Sequence, residues 1–295
     1  MKLERNSVKL IDLSEPGRKI EYAGKVCYKS QGNITDTSYE RFITNIVNSG
    51  HHSVLEHEAK MFCFDIDFFQ KNIDPLIRYN HYLNVTFEDR NVFVSGNIRA
   101  WYDLINKFDY DLYAQSLSTY LNKDYPYIFK DYDAKMNCTY GLDAEEKCKD
   151  LSKHKLYTFE ILGTRSFTHQ IVRHRTLSFS QESQRYCNYS NKKFEHSIRV
   201  ILPEIEDEDT FELVKKQCLN CENTYFSLIE KGEKPEDARQ VLPNCAASTI
   251  VVSGTIDNWK KFLKLRMDNH AQKEIREIAN CIASYLHLTK EDVGL

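Results

Sequence analysis

The chain has 295 residues, of which 41% are hydrophobic and 28% are charged, enough for a sizeable core beneath a hydrated surface. Its net charge of -3 argues against a nucleic-acid-binding domain, which is usually strongly basic, so any bound anion must be held by a local cluster of arginines. No stretch approaches the roughly 20 apolar residues of a membrane span, and the N-terminus leads into no apolar run of signal-peptide length.

The nine cysteines predict a reducing environment, because their number is odd and their spacing is not that of a disulfide framework. Cys218 and Cys221 have the CxxC spacing, but a structural zinc site would need a second such pair. We therefore expect two helix-borne thiols, no metal, and a soluble protein of the cytoplasm.

The first half of the chain contains one clear helix and one clear strand. Asp36 and Thr37 are candidate caps of a helix that Gly50 ends, and a strand pattern follows over residues 59–66. Residues 68–150 have the composition of a helical and irregular region. We therefore predict a single domain over residues 1–295 with an extended insertion at about 67–150.

The second half begins with a strand pattern over residues 156–162 that Gly163 breaks, and Thr164 or Ser166 can cap a helix over about 167–175. Three helical patterns follow, over about 207–231, 235–241 and 257–287. Strands and helices without a regular βαβ rhythm predict an α+β fold of mixed helices and antiparallel sheet.

Two segments resemble each other, residues 92–101 and 250–259. Each is an apolar strand, a Ser-Gly pair and the opening of a helix. Internal pseudo-symmetry and the chance recurrence of a common unit both explain this likeness.

The densest group of chemically capable residues begins with Gln170, Arg173, His174 and Arg175. On a helix, the first three of these would share one face. Arginine grips phosphate with two hydrogen bonds and keeps its charge, so adjacent arginines predict bound anions. Glu182, Ser183 and Arg185 follow and complete a cradle suited to a nucleoside monophosphate. The alternative is a charged helix end followed by a polar loop.

The pattern Arg173-His174-Arg175, seven residues and Ser183 resembles the signature of the flavin-dependent thymidylate synthases. Further blocks similar to this family occur in order along the chain: Cys27–Ser30 with Gly50–His57, Ala238–Pro243, and Trp259–Arg266 with His270–Ile275. The resemblance implies the α+β fold of this family and a homotetramer whose active sites are shared between subunits. It also implies the methylation of dUMP to dTMP, with methylenetetrahydrofolate as carbon donor and NADPH-reduced FAD as hydride source.

The resemblance also implies a role for individual residues. It gives catalytic roles to Arg266, Ser183 and His51, with the charge of Arg266 beside the pyrimidine. The implied contacts of dUMP are Gln170, Glu182, Ser183, Arg185, Arg239 and Arg266. The implied contacts of FAD are Ser53, Glu56, Arg173, His174, Arg175 and His270, the last one helical turn beyond Arg266.

Some positions depart from the family pattern. Thr255 and Asp257 stand where the family usually offers Asn and Arg to the flavin, and Lys261 stands where Asn or His is common. Asn97 and Arg99 occupy the equivalent places in the earlier similar segment. The alternative function is an inactive family member that acts as an assembly or nucleotide-binding protein.

Overall fold

The computed structural model describes the backbone of residues 1–295 and every side chain except that of Asn33. Two antiparallel sheets of four strands form its framework. The first has the order β4 (Leu83–Glu88), β5 (Asn91–Asn97), β3 (Ala59–Asp65) and β6 (Thr139–Tyr140). The second has the order β2 (Ser7–Leu10), β7 (Leu156–Thr164), β10 (Ala247–Thr255) and β8 (Ser178–Gln181). A separate parallel pair joins β1 (Lys2–Leu3) to β9 (Arg199–Val200).

Helices cover the sheets, and together they confirm the predicted α+β class. They are α1 (Arg18–Cys27), α2 (Ser38–Asn48), α3 (Ile66–Phe68), α4 (Asp74–Ile77), α5 (Ile98–Lys107), α6 (Leu112–Asn122), α7 (Leu142–Lys147), α8 (Arg165–Ile171), α9 (Glu208–Glu230), α10 (Pro235–Ala238), α11 (Ile256–Arg266) and α12 (Lys273–Tyr285). A π-helical turn (Phe69–Ile73) joins α3 to α4, and short 3₁₀ helices span Gln31–Asn33, His52–His57, Lys192–Phe194, Arg239–Val241 and Glu291–Val293. Among the described residues, no helix has both the length and the apolar character needed to cross a membrane.

Each sheet has its own hydrophobic core, built around a fully buried tryptophan. Trp101 packs edge-on against Phe62 at 5.1 Å between ring centroids, and Trp259 packs in the same way against Phe159 at 5.2 Å. The indole N–H of Trp101 donates to the carbonyl of Lys60 in β3 at 3.1 Å. The indole of Trp259 donates to the corresponding carbonyl in β7, also at 3.1 Å. The two cores are therefore organised alike.

The likeness extends to the pairing register, which identifies an internal repeat. Repeat 1 (residues 57–107) contains β3, β4, β5 and α5, and repeat 2 (residues 154–266) contains β7, β8, β10 and α11. Asn97 ends β5 and caps α5 with its side chain, and Thr255 ends β10 and caps α11 in the same way. A Cβ atom added at Gly96 would lie 2.2 Å from a methyl carbon of Leu83, and one at Gly254 would lie 2.3 Å from that of Leu177. The two similar segments of the sequence therefore reflect pseudo-symmetry.

The interpretation of residues 68–150 as helical and irregular agrees with helices α4 to α7 but missed the strands β4 and β6. Strand β4 alternates Leu83, Val85 and Phe87 with polar residues, and it forms a hairpin with β5 through Asp89, whose φ is 53°. The first half of the range 67–150 thus belongs to repeat 1, and α6, β6 and α7 follow it. The single domain with an insertion stays a prediction.

Three further boundaries differ from the predicted ones. Strand β7 continues through Gly163 to Thr164, because Gly163 still pairs with Ser248 of β10. Helix α8 starts earlier and ends at Ile171, so the Arg-His-Arg motif follows the helix instead of lying on it. The long helix over 257–287 is divided into α11 and α12 by a turn at Asp268, whose carboxylate accepts the backbone N–H of residue 270.

Candidate functional site

The seven-residue helix α8 connects two groups of polar residues. Thr164 caps the helix by accepting the backbone N–H of Phe167 at 3.0 Å, and Phe167 and Ile171 anchor it in the core of the second sheet. Arg165 opens the helix and Gln170 lies near its end. At a rise of 1.5 Å per residue, these two positions are separated by about 7.5 Å along the helix axis.

The first group contains Arg165, Arg185 and Arg239, which we call the first arginine cluster. Glu236 joins two of them: its carboxylate accepts from Nε of Arg185 at 2.7 Å, and its backbone carbonyl accepts from Nε of Arg239 at 3.2 Å. Burial lowers the pKa of Arg165, and the positive charge of Arg239 lowers it further. The cluster therefore holds three guanidinium groups with one carboxylate in contact, which favours an anionic ligand.

Arg165 is the member of this cluster that the sequence analysis missed. It lies eight residues before the motif, and no spacing rule connects it with Arg239. The available signal was a basic residue at the first position of a helix, where acidic residues are favoured by the helix dipole. Such a placement indicates that the side chain serves a purpose other than helix stability.

Glu182 lies beneath this region with only 1% of its surface exposed. Its carboxylate accepts from Nη2 of Arg199 at 2.7 Å and from the hydroxyl of Tyr189 at 3.2 Å, and it lies 3.4 Å from Nζ of Lys29. These protein groups occupy both carboxylate oxygens. The side chain of Glu182 is therefore buried and paired within the protein, and its contact with dUMP stays a prediction.

Ser183 follows Glu182 in a turn whose backbone N–H donates to the carbonyl of Cys27 at 2.9 Å. Its side chain is half-buried. The neighbouring Cys187 is fully buried, and burial raises the pKa of its thiol to about 11. Cys187 is thus held as a neutral thiol at neutral pH and is unsuited to nucleophilic attack.

The second group contains Gln170, His174 and Arg266, which we call the second cluster. Arg266 donates from Nε to Nε2 of His174 at 2.9 Å and from Nη2 to the backbone carbonyl of Gln170 at 3.5 Å. Burial, and then the charge of Arg266, lowers the pKa of His174 to about 4, so its ring is a neutral acceptor at neutral pH. Among the described residues, no carboxylate pairs with Arg266. Its half-buried charge is therefore available to a ligand.

The turn after α8 exposes Arg173 and Arg175 on either side of His174. No acidic group of the described part of the chain lies within ion-pair distance of either arginine. The expectation that Gln170, Arg173 and His174 share a helix face was wrong, because the helix ends at Ile171. His270 likewise does not share a helical face with Arg266, because α11 ends there; its ring is 98% exposed and lies 2.8 Å from Asp268.

Residues 51–57, which we call the 51–57 segment, lie between α1, α5 and β8. His51 and Ser53 are exposed in it. Glu56 accepts a hydrogen bond from Nη1 of Arg99 in α5 at 2.7 Å. The carboxylate predicted to contact flavin is therefore paired with an arginine of repeat 1.

These features define an α+β protein with unneutralised guanidinium groups at both ends of one short helix. The sequence model of a protein family described as thymidylate synthase complementing protein matches residues 9–70 and 144–288. The chain belongs to this family. The unmatched stretch between those ranges contains most of repeat 1.

Individual relatives carry the name flavin-dependent thymidylate synthase. A protein of Pyrococcus abyssi is 37% identical over 134 residues, which are 44% of this chain and 54% of the relative. One of Sulfolobus acidocaldarius is 39% identical over 128 residues, 43% of this chain and 48% of the relative. One of Corynebacterium efficiens is 36% identical over 147 residues, 44% of this chain and 56% of the relative. The chain thus spans about half the length of the curated relatives that it matches.

Proposed function

We propose that this protein is a flavin-dependent thymidylate synthase that converts dUMP to dTMP with methylenetetrahydrofolate as carbon donor and NADPH as reductant. The observation that carries the proposal is the pair of cationic groups at the two ends of α8. Their separation along the helix suits a molecule with a phosphate at one end and a polar ring at the other. The names of the relatives support the same reading.

The first arginine cluster binds the phosphate of dUMP. Arg165, Arg185 and Arg239 supply charge-assisted hydrogen bonds, and the hydroxyl of Ser183 adds a neutral donor. Glu182 keeps Arg199 and Lys29 in place behind them. No nucleophile is required of Ser183 in this arrangement.

The second cluster binds the pyrimidine. Arg266 places its positive charge beside a ring carbonyl and stabilises negative charge that develops there during methylation. Neutral His174 holds the guanidinium through Nε2, and the backbone of Gln170 adds a second contact. Burial strengthens this electrostatic effect because fewer water dipoles oppose it.

The residues that the structure describes fit an FAD diphosphate. Arg173 and Arg175 are exposed without acidic partners, and Ser53 exposes a hydroxyl. When bound, the flavin supplies a hydride, so that C5 of dUMP can be methylated without a protein nucleophile. In this proposal Arg173, Arg175, Ser53, Glu56 and His270 bind the cofactor, and His51 lies beside its ring.

We also propose a homotetramer with active sites shared between subunits, located in the cytoplasm. All nine cysteines of the chain are free thiols, which suits a reducing compartment. Light scattering after size exclusion measures the assembly directly.

The decisive experiment measures dTMP formed from dUMP, methylenetetrahydrofolate and NADPH, with and without added FAD. We expect turnover with FAD, and near-complete loss of turnover in Arg266→Ala with the flavin still bound. Arg78→Ala is the matched control, because Arg78 is an exposed arginine of repeat 1 that pairs with Asp74. Normal turnover by Arg266→Ala refutes its role. Binding of dUMP without dTMP formation indicates a nucleotide-binding protein instead.

A further inference from the structure

Two equivalent histidines each join one repeat to the sheet of the other. His57, just before β3 in repeat 1, has Nδ1 2.8 Å from Oγ of Ser253 and Nε2 2.9 Å from Oγ of Ser180. Both serines belong to repeat 2, on β10 and β8. We call this arrangement the His57 bridge.

The reciprocal His154 bridge starts just before β7 in repeat 2. Nδ1 of His154 lies 2.8 Å from Oγ of Ser95 in β5, and Nε2 lies 2.7 Å from Oγ1 of Thr86 in β4. In both bridges, Nδ1 meets a serine hydroxyl on one of the equivalent strands β5 and β10. Nε2 meets a hydroxyl on one of the equivalent strands β4 and β8. The exposed fraction is 0% for His57 and 4% for His154, so both bridges replace hydration by two internal hydrogen bonds.

The two bridges differ in the segment that each one holds. His57 ends the 51–57 segment, which carries His51, Ser53 and Glu56. His154 follows residues 149–153, a stretch that contains none of the residues proposed to bind substrate or cofactor. The His57 bridge therefore holds a segment of the proposed site, whereas the chemically equivalent His154 bridge holds a connecting loop.

The partners of His57 lie within the proposed site. Strand β8 connects the turn of Arg173 and Arg175 with the turn of Ser183, and Ser180 lies in its middle. Ser253 is held by a further hydrogen bond, 2.7 Å, with Oγ1 of Thr158 in β7. A hydrogen bond to β8 therefore aligns the 51–57 segment with residues on both sides of that strand.

We propose that His57 is a positioning residue for ligand binding: it holds the 51–57 segment of repeat 1 against the strand of repeat 2 that connects the Arg-His-Arg turn with Ser183. His154, which makes the same hydrogen bonds, has a structural role alone. This inference rests on the proposed function for the identity of the ligands. It does not depend on that function for the alignment itself.

The test compares His57→Phe with His154→Phe, because each change keeps a ring and removes the imidazole partner of two hydroxyls. We expect a similar lowering of Tm in both variants. The Kd of FAD, from flavin fluorescence, and the Kd of dUMP, from calorimetry, should rise by about tenfold or more in His57→Phe, since small misalignments strongly weaken oriented binding. Both constants should stay near the wild-type values in His154→Phe.

A milder pair of variants covers the case in which the ring substitutions fail to fold. Ser180→Ala and Thr86→Val each remove the hydroxyl that meets Nε2 of the respective histidine. Weaker ligand binding in Ser180→Ala alone supports the proposal. Equal weakening in both members of either pair, or in neither member, overturns it.

Hydrogen exchange on the ligand-free protein separates this proposal from the proposed function. His57→Phe should speed exchange in residues 51–57 and 173–183, whereas His154→Phe should leave both ranges protected. If wild-type protein binds neither FAD nor dUMP, the proposed function fails while the exchange pattern still tests the alignment. Unchanged exchange in His57→Phe overturns the positioning role.

Discussion

Two buried histidines make the stability of the protein sensitive to mild acid. Burial lowers the pKa of His57 to about 3 and also lowers that of His154. An unfolded histidine titrates near 6.5. Below that pH these histidines bind protons in the unfolded chain but not in the folded one. The free energy of unfolding therefore falls as the pH falls. Acid therefore weakens the contact between the two repeats before most carboxylates titrate.

The slope of stability against pH tests this effect. Between about pH 6.5 and pH 5, His57 should contribute on average roughly 1 kcal/mol of lost unfolding free energy per pH unit. Urea unfolding of wild type and His57→Phe across that range measures the difference in slope. The variant should be less stable at neutral pH but less sensitive to acid. Parallel slopes in the two proteins would show that the ring is not neutral in the folded state.

At the scale of single elements, helix α8 holds the two clusters apart by its length. Arg165 lies at its first residue and Gln170 near its last. If the first cluster binds a phosphate and the second a base, substitutions at the two ends should affect different parts of one ligand. That separation can be measured with a nucleotide and its nucleoside.

Arg165→Ala should weaken dUMP binding by roughly 10- to 150-fold, the equivalent of a lost charge-assisted hydrogen bond, and leave binding of deoxyuridine unchanged. Arg266→Ala should weaken the binding of both ligands, because the base is common to them. Calorimetric titration of each variant with each ligand gives the four comparisons. An equal loss of deoxyuridine affinity in Arg165→Ala would contradict the assignment of the first cluster to phosphate.

The sequence predicted those elements whose signals are local. The helix α9 begins after Asp207, as expected, because this residue caps it. Strand β3 was also predicted almost to the residue. The ends of α8 and α11 were misplaced because apolar periodicity continues past both. Helix α8 gives way to a turn after Ile171, and α11 gives way to the turn that the carboxylate of Asp268 stabilises.

For the whole molecule, the internal repeat was only half visible in the sequence. Strands β5 and β10 share the Ser-Gly pair, but β3 and β7 have little in common except the histidine before each and the phenylalanine five residues after it. Their equivalence depends on tertiary hydrogen bonds that no local pattern encodes. The burial of Glu182 was equally invisible, because it depends on groups that are distant in the sequence, among them Lys29 and the backbone N–H of Thr249.

The repeats differ where repeat 2 carries the proposed site. The backbone N–H of Leu177 donates to the carbonyl of His174 at 3.0 Å, and that of Leu83 donates to the carbonyl of Asn80 at 3.5 Å. Residues 79–81, Tyr-Asn-His, thus replace the Arg-His-Arg motif in repeat 1. Phe108, which follows α5, takes the place that Arg266 has at the end of α11.

Because repeat 1 lacks these arginines, we expect one dUMP bound per chain, although the chain contains two copies of the scaffold. Calorimetry with protein of known active concentration, supported by equilibrium dialysis, gives this ratio. Tyr79→Ala should leave both the ratio and the affinity unchanged. A ratio of two would show that repeat 1 binds nucleotide by other groups.

The turn that the two repeats share has the same backbone conformation with two different sets of side chains. One copy of this backbone bend exists with Tyr79 and His81, and the other with Arg173 and Arg175. Since the bend forms with either set, its shape does not require guanidinium groups. We therefore expect that both arginines can be replaced together without unfolding the protein, which makes this turn the place to change which anion the protein binds.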